Sequence, residues 1–160
     1  MRESPALHKM RPDGREGREN TMPRAVIAGI YLGICARTDI RTRRISVLLS
    51  IVAALVGASL AIYSRRAPQE VLLGVLPGLL MMALSWLTRG AVGIGDGIVI
   101  TVAGLFLEPG QLLGAWLAGS FFAAVAAGIL FIRTRKGKNE IPYVPFLLAG
   151  YLAAMLAGVG

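Results

Sequence analysis

The sequence is poor in the residues that build disulfide scaffolds and metal centres. It contains one cysteine, Cys35, and one histidine, His8, among 160 residues. An internal disulfide is therefore excluded, and we expect no metal site and no cofactor. Charged residues are scarce as well, at 16% of the chain, whereas a typical soluble domain has about 25%. These shortages exclude a histidine-based catalytic centre and favour a membrane protein.

Apolar residues make up most of what remains. Hydrophobic residues are 55% of the chain, and the formal net charge is +8. The basic residues lie in short clusters between long apolar runs, a pattern typical of the cytoplasmic loops of membrane proteins. A nucleic-acid surface would need the area that the apolar runs occupy. We therefore expect membrane lipids around the protein and no nucleic-acid partner.

The hydropathy pattern divides the chain into two parts. Residues 1–21 mix basic and acidic side chains with few large apolar ones, which predicts a disordered polar tail. Residues 22–160 read as one membrane domain, in which six apolar runs predict an all-α integral membrane protein with a bundle of six transmembrane helices. The predicted spans are residues 22–38, 45–63, 71–88, 91–107, 112–132 and 146–158.

The loop charges predict the orientation of the bundle. Arginine and lysine are concentrated at residues 37–44, at Arg89 and at residues 133–138, and these loops share one side. By the positive-inside rule that side is cytoplasmic, and both termini lie outside. The expected location is the inner (plasma) membrane, crossed several times.

Two acids lie next to the predicted membrane on the arginine-rich side, Asp39 and Asp96. Taken singly, Asp39 is explained by an interfacial salt bridge and Asp96 by a capped helix start. Taken together, two carboxylates in one site do not easily both ionise, so one serves as an acid and the other as a base. This favours an aspartyl hydrolase, and an ion path or a structural pair remains as the alternative.

A third segment falls on the same face as the two acids. Pro142 and Pro145 are placed where a helix begins, a position in which proline loses no needed hydrogen bond. We interpret the prolines as helix-start residues. The segment, with Pro142, Tyr143, Pro145 and Phe146, is also a candidate lining for a substrate groove.

These three stretches resemble the motifs of the type IV prepilin peptidase family, the membrane aspartic peptidases with a GxGD element. Residues 36–47 resemble its A-x-x-D-x-x-x-x-x-I-P-N pattern, residues 93–98 its G-x-G-D-x-K pattern and residues 141–146 its I-P-F-G-P-F segment. The second motif supplies Gly93 and Gly95, and Gly97 follows its aspartate. Ile98 stands where the family usually has lysine.

The resemblance implies an aspartic endopeptidase with Asp39 and Asp96 as catalytic residues. Its expected partners are type IV prepilin-like or preflagellin-like precursor proteins, from which it removes a short basic leader (signal peptide) at the cytoplasmic membrane face. Two alternatives remain open. One is a small transporter or proton-path subunit that uses the same acids as relays, and the other is an inactive family member that acts as an assembly factor.

Overall fold

The predicted all-helical architecture is confirmed over the residues that the structure describes. The computed structural model describes residues 14–42, 45–89, 93–134 and 142–158, with six helices and no strand in these ranges. The helices are α1 (Gly14–Thr42), α2 (Val47–Tyr63), α3 (Pro68–Leu87), α4 (Ile94–Phe106), α5 (Pro109–Thr134) and α6 (Val144–Leu156).

The first helix begins earlier than the sequence predicts. α1 starts at Gly14, so residues 14–21 of the expected disordered tail are helical in the structure, whereas residues 1–13 lie outside the described range. Arginine and glutamate, which dominate this stretch, have good helix propensity. Once the apolar part of α1 is packed, extending the helix through them costs little, because propagation is far easier than nucleation.

The starts of the other helices follow from local chemistry. The Ser46 hydroxyl caps α2 by accepting a hydrogen bond from the Leu49 N–H at 3.4 Å. Proline occupies the first turn of α3, α5 and α6, where its missing N–H has no intrahelical partner to lose. This confirms the helix-start role predicted for Pro145.

Two of the described helices are long and apolar enough to cross a membrane, judged by length and composition. These are α3 and, over Pro109–Arg133, α5. α2, α4 and α6 are apolar but shorter, with 17, 13 and 13 residues. Large apolar side chains are nevertheless exposed around the bundle, including Leu48 and Ile62 on α2 and Leu117 on α5. Such a surface suits lipid rather than water, so the molecule is a membrane protein, and six spans stay a prediction.

The centre of the bundle is formed mainly by α1, α4 and α6. Leu32 on α1, Ile100 on α4 and Leu147 on α6 are each at most 1% exposed and belong to one buried cluster. α1 packs against both α4 and α6. The helix that carries Asp39 therefore lies between the helix that carries Asp96 and the helix that begins with the proline segment.

Two helix pairs pack with their backbones in direct contact. A Cβ atom on Gly104 of α4 would overlap the backbone oxygen of Gly74 on α3, and a Cβ on Gly150 of α6 would overlap the backbone of Gly119 on α5. Small residues allow this close approach between helices in membranes. The contacts make α3–α4 and α5–α6 the two most tightly packed pairs.

Candidate active site

The two predicted catalytic aspartates lie at the same end of the bundle. Asp39 is near the last turn of α1 and is buried, with 8% of its surface exposed. Asp96 is in the first turn of α4 and is half-buried. The two carboxylates are close enough to interact electrostatically. Residues 57 positions apart in sequence are thus placed together, as the sequence predicts for a pair.

Asp39 is held by the start of α6. Its Oδ2 accepts a hydrogen bond from the backbone N–H of Val144 at 3.2 Å, and this contact is buried. The first N–H groups of a helix have no partner within the helix, so they are free to bind an acceptor. The third motif segment therefore reaches the site through its backbone.

The glycines of the second motif leave room around Asp96. A Cβ on Gly93 would lie 2.9 Å from the Asp96 Oδ2, and a Cβ on Gly95 would lie 2.6 Å from the Ile45 Cδ1. A Cβ on Gly97 would lie 2.6 Å from the Met82 Cγ on α3. Gly93 thus leaves space for the carboxylate itself, while Gly95 and Gly97 let neighbouring segments approach the turn that carries it.

Tyr143, which precedes α6, links the site to α5. Its hydroxyl forms a hydrogen bond with the Ser120 hydroxyl at 3.0 Å. Burial raises the pKa of the Tyr143 phenol above its usual value, the bond with Ser120 lowers it, and the nearby Asp96 charge raises it. The carbonyl oxygen of Tyr143 accepts from the N–H groups of Phe146 and Leu147 and so closes the first turn of α6.

The role of residues 142–146 as a substrate groove stays a prediction. Pro142, Tyr143, Pro145 and Phe146 are all half-buried, and Tyr143 directs its hydroxyl to another helix. The structure adds a contact between the Val144 backbone and Asp39. Val144 is the one residue of this segment that the sequence does not mark as a candidate.

Polar groups continue from Asp39 into the bundle along one face of α1. Cys35, one turn away, is buried and lies close enough to Asp39 to interact electrostatically. Tyr31, a further turn away, shares a buried hydrogen bond of 3.1 Å with Ser50 on α2. The spacing i, i+4, i+8 places these three side chains on one helical face.

The opposite end of the bundle carries a second group of charges. The Arg66 guanidinium, whose side chain is 4% exposed, donates to the carbonyl oxygens of Leu105 and Leu107 at 3.1 and 3.0 Å and lies 3.8 Å from Glu70. Arg24 on α1 is also buried and interacts electrostatically with Arg66, Glu70 and Glu108. We call these four residues, Arg24, Arg66, Glu70 and Glu108, the arginine cluster.

Sequence reasoning missed Ser120, the Val144 amide and the arginine cluster. Ser120 is one of several small residues on α5, which by themselves indicate only close helix packing. Its hydroxyl in an otherwise apolar helix was a usable signal, because serine commonly forms hydrogen bonds between helices in membranes. No side-chain pattern marks a backbone amide such as that of Val144, so this contact required the structure.

Comparison with known proteins identifies a family for the chain. Neither curated proteins nor solved structures gave a match. A model of the type IV leader peptidase family matches residues 26–133. That stretch is more than half of the chain, contains both aspartates and ends before the proline segment. The chain therefore belongs to the type IV leader peptidase family.

Proposed function

We propose that this protein is a membrane-embedded aspartic endopeptidase that removes the short basic leader from type IV prepilin-like or preflagellin-like precursors, with Asp39 and Asp96 as its catalytic residues. The observation that carries the proposal is the pairing of these two carboxylates at one end of the bundle, within a chain of the leader peptidase family.

The chemistry follows from two carboxyl groups that share one site. A deprotonated carboxylate takes a proton from water, which attacks the carbonyl carbon of the scissile peptide bond. A protonated carboxyl group donates a hydrogen bond to the carbonyl oxygen and later transfers a proton to the leaving amine.

The orientation of the site completes the proposal. We place Asp39 and Asp96 at the cytoplasmic face because Arg37 and Arg41 lie beside Asp39, and positively charged residues accumulate on that side. All six helices then cross the membrane, with α4 and α6 shorter than a perpendicular span. A basic leader approaches the same face from the cytoplasm, where the precursor is made.

The decisive experiment measures leader cleavage by purified protein in lipid nanodiscs. Asp39→Asn and Asp96→Asn should each lower the cleavage rate about 10²–10⁴-fold or more, because each removes a proton-transfer partner while keeping the side-chain size. Glu70→Gln is the matched control, since it neutralises an acid at the opposite end of the bundle and should cleave normally. Near wild-type cleavage by either aspartate variant would show that the dyad assignment is wrong.

A labelling experiment tests the orientation. Single cysteines introduced at residues 133–139 of a Cys35→Ala protein should react with membrane-impermeant thiol reagents only after the cytoplasmic side is opened. Cysteines introduced at residues 64–68 should react in intact cells. The reverse pattern would place the aspartates on the wrong side for a cytoplasmic leader.

A further inference from the structure

The start of α6 has one backbone donor aimed at the site. Pro142 and Pro145 have no N–H group, and the Phe146 N–H is used within the helix by the Tyr143 carbonyl. The Val144 N–H points instead to the Asp39 carboxylate, at 3.2 Å. The orientation of Asp39 therefore depends on where the first turn of α6 lies.

That first turn is fixed against α5 at several points, two of which involve neighbouring residues of α5. A Cβ on Gly119 would lie 2.8 Å from the Leu147 Cα, so the two backbones are in contact there. One residue further along α5, the Ser120 hydroxyl bonds the Tyr143 hydroxyl at 3.0 Å. The glycine contact sets the separation of the helices, and the hydrogen bond restrains the residue directly before Val144.

We propose that Ser120 and Tyr143 are positioning residues, which hold the start of α6 so that the Val144 N–H orients the Asp39 carboxylate for catalysis. The proposal rests on the proposed aspartic peptidase function. Ser120 and Tyr143 act through the Val144 amide, and neither is assigned a contact with the scissile bond. Displacement of a catalytic group by about 1 Å is enough to lower a rate by about 10²-fold.

The rival interpretation is the one that the sequence suggests, in which Tyr143 lines a substrate groove. The positioning role and the groove role predict changes in different kinetic constants when Tyr143 is substituted. Loss of a positioning contact lowers kcat and leaves KM nearly unchanged, whereas loss of a contact with bound substrate raises KM. The two interpretations of Tyr143 also predict different effects of substituting Ser120. A tyrosine that only lines a groove does not need its hydrogen-bond partner on α5, so the loss of the Ser120 hydroxyl would then have little effect on cleavage.

The test compares Tyr143→Phe, Ser120→Ala, the double variant and Ser120→Thr in the nanodisc cleavage assay. We expect each single variant of the pair to lower kcat about tenfold, with KM within about twofold of wild type. The double variant should be no slower than Tyr143→Phe alone, because Tyr143→Phe already removes the bond that Ser120→Ala removes. Ser120→Thr, which keeps the hydroxyl, should retain the wild-type kcat.

Tyr151→Phe is the matched control on the same helix. It removes the bond of 2.6 Å from the Tyr151 hydroxyl to the Ala25 carbonyl, which also joins α6 to α1 but lies away from the aspartates. It should lower the melting temperature without changing kcat. Unchanged kcat in both single variants, multiplicative losses in the double variant, or a selective rise in KM would overturn the positioning role. Failure of the peptidase function itself would appear separately, as absent cleavage by the wild-type protein.

Discussion

The two ends of the bundle differ in the groups that surround their buried charged side chains. In the arginine cluster, Arg66 faces two carbonyl oxygens and the carboxylate of Glu70, so its positive charge meets acceptors. At the other end, the two acidic side chains of Asp39 and Asp96 lie close enough to interact electrostatically. The first arrangement pairs a buried charge with acceptors, and the second places two like charges close together.

This difference suggests that the charged residues at one end contribute to stability and those at the other end to catalysis. A buried cation is tolerated when its donors are satisfied, and removing it leaves its acceptors unpaired. A pair of carboxylates is useful to a hydrolase because its members differ in protonation near working pH. Substitutions at the arginine cluster should therefore affect stability, and substitutions at the aspartates should affect cleavage.

The largest effect on stability should come from Arg66→Met. The variant keeps an unbranched side chain but leaves the carbonyl oxygens of Leu105 and Leu107 without this donor and Glu70 without its partner. Each carbonyl oxygen left without a donor costs about 1–3 kcal/mol, so we expect a loss of about 2–6 kcal/mol, or roughly 4–24 °C in melting temperature. Thermal unfolding in detergent, followed by circular dichroism, measures the shift.

The matched control for Arg66→Met is Glu70→Gln. Its side chain is 55% exposed at a distance of 3.8 Å from Arg66, so the pair contributes less than about 1 kcal/mol. Cleavage at 25 °C should be normal in both variants. A loss of cleavage by folded Arg66→Met protein would contradict the separation of the two ends.

The smallest effect on stability should come from Asp96→Asn. The amide keeps the shape of the side chain and removes the repulsion between two like charges. The melting temperature should therefore stay within about 2 °C of wild type or rise. A fall as large as that of Arg66→Met would show that Asp96 stabilises the fold, and the comparison between the ends would fail.

Much of the fold follows from patterns that a sequence displays directly. Apolar runs separated by basic or proline-containing turns predict the six helices, and the flanking motifs place Asp39 and Asp96 at one end. The boundaries were less predictable. α5 begins at Pro109 rather than at Leu112, because the turn residues Pro109 and Gly110 form its first turn.

The parts that sequence reasoning missed depend on tertiary contacts. The sequence places Arg66 in a loop between two apolar runs, whereas its two carbonyl partners lie at the end of α4, about 40 positions away. The Ser120–Tyr143 bond likewise joins two helices across residues 135–141, which lie outside the described range. Side-chain type indicates that such residues need partners, but only the packed structure identifies them.

The glycine contacts define two tightly packed helix pairs in the bundle. α3 and α4 are held together where Gly74 meets Gly104, and α5 and α6 where Gly119 meets Gly150. Asp96 belongs to the first pair, whereas Asp39 is attached by hydrogen bond to the second. A peptide that touches both carboxylates therefore contacts both helix pairs, and we expect a bound substrate to raise the melting temperature of the whole bundle.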